Sequence, residues 1–75
     1  MDRAMVEAHL AQAERHVVEG NRHVVEQRGR VVAMDRSGLD TAEALRLLGQ
    51  FESLQALHIT DRDRLRQELA GLGTR

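Results

Sequence analysis

The chain reads as all-α: an antiparallel two-helix hairpin, with helices near 3–36 and 41–70, that is expected to dimerise into a four-helix bundle. Three observations predict this. A seven-residue repeat runs through the first half, where His9, His16, His23 and then Arg30 open successive heptads and Val17-Val18, Val24-Val25 and Val31-Val32 follow as aliphatic pairs. A strict period of seven is the signature of helix packed on helix. There is no proline, and one strong break signal interrupts the chain, at Met34-Asp-Arg-Ser-Gly-Leu-Asp40.

In the first helix the apolar steps alternate between four and three through Val6, Leu10, Ala13, Val17, Gly20, Val24, Gln27, Val31 and Met34. A second seam, Ala4, Ala11, Val18, Val25 and Val32, lies beside it and makes the apolar face wider than one partner helix covers. The break that follows has the form of a C-cap. Gly38 takes the left-handed position and Leu39 can touch Met34, as in a Schellman motif. Asp40 is then placed to cap the second helix, with Glu43 three residues on as the reciprocal acid and Leu39 able to staple against Ala44. A turn confined to 37–40 makes the helices antiparallel, so opposed residue numbers sum to the middle seventies.

On the second helix the columns Ala44, Phe51, His58, Leu65, Leu72 and Leu47, Leu54, Asp61 are expected to form the matching seam. A small-residue column, Ala42, Gly49 and Ala56, runs alongside, and with Gly20 opposite it would permit close helix approach. The core seam is therefore read as Val6, Leu10, Val17, Val24, Val31, Leu47, Phe51, Leu54 and Leu65, and the tail 71–75 is expected to fray. All of 1–75 forms one domain.

Seventy-five residues with one Phe, no Trp, no Tyr and no Cys leave Leu, Val and Ala to build the core. A lone hairpin of that size buries too little surface to be comfortably stable, and no disulfide staples it, so a homodimer is the expected state. A different protein on the second seam is the alternative. Without cysteine there is no thiolate metal site or redox chemistry. No apolar run approaches the ~20 residues that span a bilayer, the first residues lack the layout of a secretion signal, and a cytoplasmic location is expected.

Eleven Arg, no Lys and twelve carboxylates give a net charge of −1, so no global basic field draws the chain onto nucleic acid. Most Arg have an acid three or four positions away, the ordinary spacing of helix-surface pairs. Nucleophile–base–acid arrangements and phosphate-cradling glycine loops are missing, and neither an enzyme nor a cofactor is expected.

Three sets of residues are candidates for function. The first is the stripe His9, Gln12, His16, Glu19, His23, Glu26 and Arg30. Successive histidines are two turns apart, about 10.5 Å, too far to share an ion. Only a His with the Glu one turn away, His16 with Glu19 or Glu19 with His23, could do so, with a third ligand from another helix. Its ordinary explanation is a solvated flank that inherits the heptad spacing. The second set is His58 and Asp61, with Glu14 brought near by the antiparallel register. A core histidine bonded to an acid, a small metal or ligand site, and a pH-sensitive latch are its three meanings. The third is Arg62, Arg64 and Arg66, interleaved with Asp61, Asp63 and Glu68. Small dimeric hairpins of the Rop type bind RNA with one bundle face, but the interleaved acids and lack of aromatics argue against that use here.

The segments Arg15-His16-Val17, Arg22-His23-Val24, Phe51-Glu52, Leu57-His58 and Asp61-Arg62-Asp63-Arg64-Leu65 resemble a group of short bacterial helical-hairpin proteins with repeated Arg-His-Val heptads. The resemblance covers nearly the whole length. It implies a helical hairpin and no particular activity, and Arg30 stands where a fourth repeat histidine would fall.

Overall fold

The computed structural model describes residues 2–73. It contains two helices, α1 from Arg3–Arg36 and α2 from Ala42–Gly73, packed against each other as a rod of 59 × 14 × 14 Å. Its radius of gyration is 17.0 Å, against about 11 Å for a compact domain of this length.

Helix α1 begins where Asp2 accepts a hydrogen bond from the Met5 amide at 2.8 Å. It ends as the sequence predicts. Gly38 has φ of +73°, its amide donates to the Asp35 carbonyl at 3.0 Å, and the Leu39 amide reaches back to the Met34 carbonyl at 2.9 Å. These are the two bonds of a Schellman turn, and only glycine enters that left-handed conformation without strain.

The start of α2 departs from expectation. Asp40 does accept from the Ala42 amide at 2.9 Å, but Glu43 does not close a capping box, because its carboxylate pairs with Arg46 one turn on. The guanidinium hydrogen bond, and then its charge, hold the Glu43 carboxyl below the usual carboxylate range. At the other end α2 runs through Gly71 and Leu72 to Gly73, three residues beyond the expected stop. Leu69 and Leu72 are half-buried there, and the Arg3 side chain lies over Gly73, so packing against α1 extends the helix. The rest of the expected frayed tail, Thr74 and Arg75, lies outside the described residues.

The α1 seam matches its expected positions residue for residue. Val6, Ala13, Val24 and Gln27 are buried, and Leu10, Val17, Gly20, Val31 and Met34 are half-buried. On α2 the column Ala44, Phe51, His58, Leu65 and Leu72 also faces inward. Its companion does not match. Leu48, Gln55, Arg62 and Leu69 fill that side, whereas Leu54 is 49% exposed and Asp61 is exposed; Leu47 is half-buried at the margin.

The reason lies at Gly20. The missing side chain leaves a slot that Gln55 enters, donating from Nε2 to the Val17 carbonyl at 2.9 Å, and a Cβ on Gly20 would fall on Gln55 Oε1. Gly20 thus admits a polar side chain, and Gly49, expected to permit close approach, faces open space. A second cross-helix bond runs from Gln27 Nε2 to the Ala44 carbonyl at 2.9 Å. Both glutamine Oε1 atoms are buried and without a hydrogen-bond partner.

Candidate functional site

The heptad histidines of α1 do not simply line a solvated flank. Each leans over successive residues of the inward column of α2. His16 meets His58 with ring centres 5.2 Å apart and planes tilted by 48°, and His23 meets Phe51 at 5.6 Å and 35°. His9 shares a hollow with Leu65 and Asp61. The spacing of seven on α1 therefore mirrors the spacing of seven on α2, which places these pairs at sums near 74.

Around His16 and His58 the two helices leave a hollow of about 100 Å³, lined also by Glu19, Gly20, His23, Phe51, Leu54 and Gln55. It opens where Gly20 carries no side chain and where Leu54 stands outside the seam. His16 and His58 are half-buried, whereas His23 and Glu19 are exposed at the rim.

The trio His58, Asp61 and Glu14 is not assembled. Each opens on a different hollow: His58 on the one just described, Asp61 on that of His9 and Gln12, and Glu14 on one with Ala11, Arg15, Val18 and Glu19. Asp61 instead accepts from Arg64 at 2.7 Å, and Glu14 stands 4.0 Å from Arg66 on the opposite flank. The inward companion column of α2 is 48-55-62 and not 47-54-61, which turns Asp61 outward. Among the described residues no three His, Cys, Asp or Glu side chains are gathered as a metal site.

The Arg cluster is internally neutralised. Arg62 pairs with Asp63 at 2.9 Å, Arg64 with Asp61 and with Glu68 at 3.6 Å, and Arg66 with Glu14. The hydrogen bond that Arg64 donates to Asp61 raises the Arg64 pKa above its ordinary value.

Carboxylate pairing singles out another residue. Glu7, Glu26 and Glu52 bind Arg3, Arg22 and Arg28, and the two N-terminal aspartates cap helices, but the Glu19 and Asp35 side chains make no hydrogen bond or ion pair among the described residues. Glu19 is also the residue whose spacing from His16 and His23 makes it a candidate ligand in the sequence. It stands between those two histidines, with Arg15 four residues before it and Arg22 three after, yet Arg22 pairs with Glu26 instead.

None of the described helices is long and apolar enough to cross a membrane. Comparison of the chain with protein-family models, curated proteins and solved structures finds no match.

Proposed function

We propose that this chain is a non-enzymatic, self-associating interaction module in which two hairpins pair through the Val18, Val25 and Val32 face of α1 to form a four-helix bundle in the cytoplasm. One observation carries the reading. Among the described residues the hairpin alone buries four hydrophobic side chains, Val6, Ala13, Val24 and Leu65, while Val18, Val25, Val32, Leu45 and Ile59 stand 38–71% exposed.

The surface of 5458 Å² also exceeds the roughly 4,650 Å² of a compact monomer of 8.5 kDa. Val18, Val25 and Val32 recur every seven residues, which suits them to a partner helix. Ile59 and Ala56 share a hollow with Asn21 and Arg28, which puts the apolar and small residues of α2 beside this flank. Two charge pairs cross the groove on this flank, Arg28–Glu52 at 3.1 Å and Arg66–Glu14 at 4.0 Å. One long face of a rod 59 × 14 Å offers about 800 Å² per copy, the area a standard stable interface uses. A second copy is the partner that this area and the repeating column fit.

Sedimentation equilibrium of the wild-type chain and of Val18→Glu/Val25→Glu tests this. The expected result is a mass near twice 8.5 kDa for the wild type and a shift toward the single chain for the variant. A wild-type chain that stays monomeric and folded at micromolar concentration would leave that face to a different protein.

A further inference from the structure

We infer that His16 and His58 form a cross-helix clip for a first-row divalent transition metal of the Zn²⁺ type, with Glu19 as its third ligand. From the sequence His16 and Glu19, one turn apart, lacked a ligand from a second helix; the structure brings His58 to that place. The two ring centres are 5.2 Å apart. Two imidazoles on one tetrahedral Zn²⁺, each bound at about 2.1 Å, place their ring centres about 5 Å apart.

The pair has no other evident work. A half-buried histidine ordinarily finds an acceptor, yet neither imidazole makes a hydrogen bond or ion pair among the described residues, and each faces another base. Glu19 lines the same hollow of about 100 Å³ and is one of the two side-chain carboxylates left unpaired among the described residues. Gln55 lines it too, with its Oε1 buried and without a donor. Imidazole with one carboxylate suits Zn²⁺, Ni²⁺ or Cu²⁺ over Mg²⁺ or Ca²⁺, which seek oxygen. Because no three ligating side chains are already drawn together, the ion must itself draw in Glu19, whose exposed side chain is free to swing.

The site lies within one hairpin and does not depend on whether hairpins pair. Isothermal titration of the full chain, purified without a histidine tag and stripped with chelator, is made with ZnCl₂ for the wild type and for His16→Asn, His58→Asn, Glu19→Gln, His23→Asn and His9→Asn. One Zn²⁺ per chain is expected, weakened at least tenfold by either His16→Asn or His58→Asn, less by Glu19→Gln, and unchanged by His9→Asn and His23→Asn. Circular dichroism establishes that each variant folds. Should a variant fail to fold, Co²⁺ added to the wild type supplies the independent readout, an intense tetrahedral absorption band. Overturning results are no Zn²⁺ binding, equal binding in a folded His58→Asn, half an ion per chain, loss with His23→Asn, or only the weak spectrum of octahedral Co²⁺.

Discussion

Near the open end of the hairpin the seam is aliphatic, with Val6, Ala13 and Leu65 buried, whereas from its middle toward the turn Gly20, Gln55, Gln27 and two imidazoles share the seam with Val24. The ends hold the helices together through burial. The middle contributes less apolar contact and more register, because each glutamine amide reaches one particular carbonyl on the opposite helix. Slipping α2 by one residue would break both bonds and leave buried amides unpaired, at a cost of about 1–3 kcal/mol each. The aliphatic ends could tolerate such a slip more easily, since hydrophobic contact is not directional.

The largest effect should come from the aliphatic end. Leu65 is 3% exposed, and Leu65→Ala should destabilise the folded state by about 2–4 kcal/mol in urea unfolding. Much less than 1 kcal/mol would mean that the ends do not carry the stability.

In the middle the sign should reverse. Gln27→Leu removes a buried acceptor that lacks a donor, and the Ala44 carbonyl it touches sits inside a helix, so a gain of about 1–2 kcal/mol is expected. Backbone amide exchange should at the same time show looser pairing near Ala44. A stability loss would show that the Gln27 bond is worth more than the orphaned oxygen costs.

A pair of glycines sharpens the comparison further. Gly29 has nothing within 4 Å of where a Cβ would stand, so Gly29→Ala should stabilise by about 0.5–1 kcal/mol through backbone entropy alone. Gly20→Ala makes the same backbone change but must evict Gln55 and press within 3.3 Å of His58 Cδ2. It should therefore give no gain, and equal gains for the two variants in thermal unfolding would disprove the slot.

The smallest effect is electrostatic. Glu43 is fully exposed, and its pKa is lowered by the Arg46 hydrogen bond first and by charge second. With the folded pKa below the unfolded one, the stability it contributes is present above the unfolded pKa and is lost as pH falls through the folded value. Wild type and Glu43→Gln should thus converge in stability as pH drops from about 5 to about 3, with salt narrowing their difference at neutral pH.

Much of the fold was legible in the residues. The α1 seam, the Schellman turn at Gly38 and the antiparallel register all follow from periodicity and from glycine's backbone freedom. Leu54 and Asp61 were misplaced for a physical reason. Columns 47-54-61 and 48-55-62 differ by one residue, about 100° of helix, and the leucines at 47 and 54 made the first look like the core. What decides between them is the slot at Gly20, a property of the opposite helix that reading α2 alone cannot supply. The expected grouping of His58, Asp61 and Glu14 failed with that choice of column, because Asp61 belongs to the outward one. The His16–His58 contact is hidden differently, since each residue stands out by its own spacing but only the pairing of two heptads across the seam puts their rings together.

We propose that one hairpin is half of a folded unit. Thermal unfolding followed by circular dichroism over a hundredfold range of chain concentration tests it most directly. If hairpins pair, the midpoint rises steadily with concentration, because association and folding are linked by mass action. A midpoint independent of concentration, with a single cooperative transition throughout, would contradict the account and make the sparse core of the lone hairpin sufficient by itself.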